Sequence, residues 1–255
     1  MTSRPLYLVG FALLLLIVSV LPNPVLAQRG LLWRIVQGCL INNKLTGLSF
    51  PCLAVETAKG LDLGYAVIRV PTEDVHLIVT PTVRTIGVEA HRVRGSDAPN
   101  YFQDAWESRA YIADKLSRTP AKSDIGLAIN SRPGRSQDQL HIHVGCVKAE
   151  VKRVLSINAA TIQANAWTKV KILAMAPLYS AHYVRGRDLV GLNVFDQVAD
   201  GLKVPPQEMD LVTIVVAGAD PEGFYILARK KLPHVFDKPH GEALLDSACE
   251  NFTRP

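Results

Sequence analysis

The sequence predicts an α+β fold, an antiparallel sheet with helices set against it. Three observations lead there: strand-length apolar or alternating runs joined by hairpin turns, helical periodicity in a few segments between them, and no repeat or linker-like stretch to divide the chain. With 255 residues, 48% hydrophobic and 20% charged, the chain is too apolar for disorder and long enough to bury a core. Only one stretch is apolar for long enough to meet a membrane, which argues against a multi-span protein. A net charge of +5 is a modest bias toward anionic partners and no signature of nucleic-acid binding.

That apolar stretch comes first. Residues 5–21 (PLYLVGFALLLLIVSVL) run 17 positions without a charge, after Arg4 and before Pro22-Asn23-Pro24. Val25-Leu26-Ala27 then offers a small-residue exit, completing the parts of a secretory signal. A single-span anchor is the competing reading, because the run falls only slightly short of a bilayer's width. Residues 1–27 are thus expected to be a signal or anchor, and 28–255 one domain that the positive-inside bias puts outside the cytoplasm. Without residues 1–27, which hold one basic and no acidic residue, the net charge is +4.

Cys39, Cys52, Cys146 and Cys249 are an even set, as suits an exported chain. Three pairings are possible. The short loop expected between Cys39 and Cys52, with Asn42-Asn43, Gly47 and Pro51, favours Cys39–Cys52 and hence Cys146–Cys249. Free thiols fit that compartment less well, and no C-x-x-C spacing supports zinc.

Along the rest of the chain, Gly64–Val70 and His76–Thr80 read as strands of a hairpin across residues 71–74. Residues 84–99 are irregular. Asn100 is a good N-cap for a helix in which Phe102, Trp106, Ala110, Ala113 and Leu116 recur at helical spacing. Ile125–Asn130 and Gln139–Cys146 are the next strands, and between them Pro133-Gly134 fits the centre of a type II turn. A short helical patch covers Ala149–Asn158, and Gln163–Gly186 is mixed. Leu189–Leu202 is helical in period, and Leu211–Ala217 with Phe224–Lys230 forms a second hairpin.

The chemistry concentrates in Asn130–Cys146, NSRPGRSQDQLHIHVGC. Period-two geometry puts Gln139, His141, His143 and Gly145 on one strand face, and Leu140, Ile142, Val144 and Cys146 on the core face. Gly145 is expected to leave the first face open beside the histidines. Two imidazoles near Arg132 and Arg135 suit a phosphoryl group, whose oxygens cations neutralise while an imidazole attacks or shuttles a proton. An H-x-H pair is equally half of many zinc sites, although neighbouring arginines oppose a second cation. Surface histidines without a role are the third reading. His76, His91, His182, His234 and His240 could add ligands, but no spacing selects one.

The segment from Asn130 to His143 resembles the histidine triad superfamily, in which a strand asparagine precedes a turn and a His-φ-His-φ-His strand. More closely, the chain is similar to the bacterial CDP-diacylglycerol pyrophosphatases. The matching pieces are Pro81-Thr82, Pro99-Asn100 with the aromatics after it and Trp106, LAINSRPGRSQ, HIHVGC, the four cysteine positions and the N-terminal apolar segment. The resemblance implies a histidine-triad-like sheet and a hydrolase that splits CDP-diacylglycerol into CMP and phosphatidate. His141 matches the nucleophile that forms a nucleotidyl-histidine, and His143 matches the histidine that helps bind the phosphate and orient the nucleophile. Asn130, Arg132, Arg135, Ser136, Gln137 and Gln139 fall at substrate-binding positions. Gln139 departs from the triad, since Gln holds a hydrogen bond but cannot change protonation near neutral pH. The two arginines would stabilise the loosening diphosphate without metal or cofactor. The implied setting is the inner membrane with the catalytic domain on its periplasmic side, or the periplasm after cleavage. Three alternatives stay open: action on another CDP-linked substrate, a metallohydrolase using His141 and His143 as ligands, and a non-catalytic nucleotide- or lipid-binding module.

Overall fold

The computed structural model describes residues 28–71, 73, 75–113, 115–116, 118–174, 177–232 and 240–253. The expected signal or anchor at 1–27 lies outside the described residues, as does His234. No helix among the described residues is long and apolar enough to cross a membrane.

Among the described residues, ten strands form one sheet: β1 (Ala54–Glu56), β2 (Tyr65–Arg69), β3 (Leu77–Pro81), β4 (Ile125–Ile129), β5 (Ile142–Val147), β6 (Thr168–Val170), β7 (Tyr179–Val184), β8 (Val212–Gly218), β9 (Phe224–Lys230) and β10 (Leu245–Asp246). Their order is β1-β2-β3-β5-β4-β8-β9-β7-β6, with β10 also paired to β5. Every pairing is antiparallel. Both expected hairpins form, β2–β3 with Tyr65 opposite Pro81 and β8–β9 with Val212 opposite Lys230. The fold is therefore the α+β class the sequence predicts, and both disulfides form as expected, Cys39–Cys52 and Cys146–Cys249.

Alternation sorts the side chains into two layers. Leu127, Ile142, Val144, Cys146, Ile214 and Ile226 enter the larger core, beneath the Tyr101–Ser108 and Val194–Gly201 helices. Asn100 caps the first of these, accepting from Gln103 N, and Asn193 caps the second. The opposite face packs in two places. Val147, Val215 and Leu227 lie under the Ala149–Ile157 helix, and Ala66 and Ile68 lie under the Leu31–Thr46 helix. His141 and His143 precede Val147 in the same alternation, so they lie on this second face of the sheet.

Several expectations change. Cys39 sits inside the Leu31–Thr46 helix rather than in a loop, and that helix was not predicted. The helix expected from Asn100 stops at Ser108 and resumes as a single turn over Ala110–Ala113. Ser131 O accepts from both Gly134 N and Arg135 N, a helix-like turn in which Pro133 stands third, so the type II turn is not formed. Gly145 is not open: a Cβ there would meet Leu245 and Asp246 at 3.8–3.9 Å, because β10 lies against it.

Candidate active site

The β3–β5 register builds the site. Ile78 stands opposite His143, which carries His76, two residues earlier on the same side of β3, to the histidine face. His76 Nε2 lies 2.9 Å from His143 Nδ1, and Glu73 Oε2 accepts from His76 Nδ1. The His141 and His143 rings meet edge to face with centroids 5.0 Å apart. From the C-terminal segment, Glu242 Oε2 approaches His143 Nε2 at 3.0 Å, and Glu242 Oε1 lies 3.4 Å from His240 Nδ1. The Glu242 approach is misaligned, so His143 Nε2 is buried without a hydrogen-bond partner among the described residues.

His141 Nδ1 lies 2.6 Å from the Gln139 carbonyl oxygen. A carbonyl can only accept, so Nδ1 carries the proton and Nε2 keeps the lone pair. Burial pushes the His141 pKa below the ordinary imidazole value, outweighing the raising effect of the Gln139 carbonyl and Glu242. Burial first, and then the neighbouring imidazoles, hold His143 well below that value. Both rings are therefore biased toward the neutral form, the one able to attack an electrophile or relay a proton.

The other expected site residues make contacts of several kinds. Asn130 Oδ1 accepts from Gly241 N at 2.7 Å, fixing the segment that brings His240 and Glu242. Gln139 is fully buried: its Oε1 accepts from Thr85 N, and its Nε2 donates to Pro81 O and Val83 O. Gln137 Oε1 accepts from Leu32 N, satisfying one of the amides left unpaired at a helix N-terminus. Arg132 is exposed and pairs with Asp210 at 2.7 Å. Ser136 is exposed in the same turn. The buried Arg135 guanidinium makes a bidentate pair with Glu89 at 2.7 and 2.8 Å and reaches Asp138 at 3.2 Å. Asp138 in turn holds Arg29 at 2.6 Å.

Sequence spacing brought His141 and His143 to attention, and the family resemblance added Asn130, but neither selected His76, Glu73, His240 or Glu242. The available signal for His76 was its place beside an alternating strand; its pairing with β5 is not written in local sequence. The remaining described histidines stand apart, His91 exposed and His182 stacked on Trp167. Among the described residues no three His, Cys, Asp or Glu side chains are grouped to hold a metal ion.

A family model described as CDP-diacylglycerol pyrophosphatase matches residues 27–253. The chain is 30% identical over 220 residues to a CDP-diacylglycerol pyrophosphatase of Yersinia pestis, covering 86% of this chain and 83% of the relative. It is 28% identical over 207 residues to a probable CDP-diacylglycerol pyrophosphatase of Mycobacterium leprae, covering 80% and 75% respectively. A match over nearly the whole described chain establishes membership: the chain belongs to the CDP-diacylglycerol pyrophosphatase family.

Proposed function

We propose that the chain hydrolyses the diphosphate of CDP-diacylglycerol to CMP and phosphatidate, with residues 28–255 as one catalytic domain and His141 as nucleophile. Family membership supports the reaction, and the Nδ1–carbonyl bond of His141 carries the mechanism. The His141 Nε2 lone pair attacks the phosphorus attached to cytidine. The bridging P–O bond breaks, and phosphatidate leaves with its electron pair. The Gln139 carbonyl, facing Nδ1–H, stabilises the positive charge that develops on the phosphorylated ring. Water then forms the new P–O bond, the N–P bond breaks, and CMP leaves as a proton is released.

His143 fits the role of phosphate donor, since its Nε2 is buried and lacks a hydrogen-bond partner among the described residues. The proton between His76 Nε2 and His143 Nδ1 decides its form. In the neutral tautomer whose Nδ1 accepts from His76 Nε2, His143 carries its proton on Nε2 and can donate it to a phosphate oxygen. This reading gives His76 a positioning role next to a triad whose first member is Gln139. Arg135, whose charge acts on His141, and the exposed Arg132 are the two cations this segment offers to the diphosphate. The substrate's acyl chains belong in a bilayer, so we infer that the domain works at the periplasmic surface of the inner membrane, tethered by residues 1–27 or docked after their removal.

Incubating the purified chain with CDP-diacylglycerol should release CMP and phosphatidate in equal amounts, with activity retained in EDTA. His141→Ala should lower kcat/KM by roughly a thousandfold or more. Unchanged turnover in that variant would rule out His141 as nucleophile, and loss in EDTA with recovery on zinc would favour a metallohydrolase.

A further inference from the structure

We infer that the outer face of the Leu31–Thr46 helix and the loop after it form a bilayer-docking surface for anionic phospholipid, which rests on the reading that the substrate is a membrane lipid. A surface helix normally buries one apolar stripe and turns polar residues outward. This helix buries Leu32, Val36 and Cys39, yet Ile41 is 61% exposed and Leu45 76% exposed on its other side. The loop continues the patch with Leu48 at 64% and Phe50 at 76%. The loop is fastened to the helix by the Cys39–Cys52 disulfide and by Asn42 Nδ2 donating to Phe50 O, so Phe50 is presented by a stapled scaffold.

Charge and chain order say what covers this face. Residues 28–55 hold Arg29, Arg34 and Lys44 and no Asp or Glu, and Arg34 and Lys44 are exposed on the helix itself. Apolar side chains rimmed by cations suit a leaflet of anionic lipid. The apolar run 5–21 ends seven positions before Gln28, so the chain enters this helix directly from its most lipid-like segment. The buried side and first turn of the same helix reach the site segment. The helix packs against Ile78, which stands opposite His143, and its first turn is held by Gln137 in the Asn130–His143 segment.

The test uses the full chain and a triple variant, Leu45→Ser, Leu48→Ser and Phe50→Ser, all at exposed positions outside the active site. Turnover is measured on CDP-diacylglycerol in phosphatidylglycerol vesicles and on a short-chain, water-soluble CDP-diacylglycerol. The expected result is a fivefold or greater loss on vesicles with soluble turnover unchanged. Equal turnover on vesicles, or an equal loss on both substrates, overturns the docking surface. Absence of turnover on both substrates in the unaltered chain instead overturns the proposed reaction. Independently, Phe50→Trp should gain fluorescence that brominated phospholipid quenches. No quenching at position 50 overturns the proposal, whether a second copy or the chain's own 5–21 segment covers the face.

Discussion

At the scale of single residues, one hydrogen bond distinguishes the two histidines of the HIH strand. His141 gives its Nδ1 proton to a carbonyl, so its lone pair is fixed at Nε2; His143 shares a proton with His76. That difference makes His76 a positioning residue with a separable signature. His76→Ala should lower kcat by roughly 10- to 100-fold with little change in KM, and His76→Gln, which can still offer a donor to His143 Nδ1, should recover part of it. Equal loss in both variants would count against positioning. The acid limb of kcat/KM for the unaltered chain should lie below 6.5, because burial lowers the His141 pKa and Nε2 keeps its lone pair to lower pH. The local sequence made the His141–His143 pair legible, because period-two alternation needs no tertiary information. It could not reveal His76 or Glu242, which arrive through strand register and a loop more than ninety residues downstream. The ion pairing of Arg135 was hidden for a related reason, because its carboxylate partner, Glu89, is brought across the fold.

At the scale of elements, the same contrast recurs. The strands β4, β5, β8 and β9 were legible because their apolar alternation is local and each is bounded by turn residues. The Leu31–Thr46 helix was not, because apolar side chains on two sides leave no single stripe, and Asn42-Asn43 before Gly47 resembles a loop. Gly47, at φ 76°, is the helix's left-handed C-cap. The two disulfides tie down different elements. Cys146–Cys249 spans 103 residues and holds the C-terminal segment, with β10 and Glu242, to β5. Cys39–Cys52 spans 13 and fastens only the loop after the first helix. Loop-closure entropy gives about 4.7 kcal/mol for the longer and about 3 kcal/mol for the shorter. Cys146→Ala with Cys249→Ala should therefore cost more stability in guanidinium unfolding, and should also lower kcat as Glu242 and His240 loosen. Cys39→Ala with Cys52→Ala should spare turnover on a soluble substrate. A larger kinetic loss from the shorter bridge would contradict this division.

At the scale of the whole molecule, the two layers of the sheet titrate in opposite senses. On one face burial lowers the pKa of His141 and His143, so below pH 6.5 the unfolded chain binds more protons than the folded one. Each can take up to about 1.4 kcal/mol of stability per pH unit as pH falls from there toward the folded pKa, and nothing above 6.5. On the other face, Asp104 of the Tyr101–Ser108 helix has its pKa pushed up to about 7, by burial first and then by Glu107. A raised carboxyl works the other way: it favours the folded state at low pH and loses that contribution as pH rises from 3.8 to about 7. Asp104 thus offsets up to about 1.4 kcal/mol per pH unit of what one histidine removes over the same window. Guanidinium unfolding at pH 7.5 and 5.5 should show a shallow acid loss in the unaltered chain. Asp104→Asn should steepen it, because the offset is gone while both histidines still titrate. His141→Gln with His143→Gln should reverse the slope, leaving Asp104 to dominate. A profile that Asp104→Asn leaves flat would mean that the two faces are not opposed.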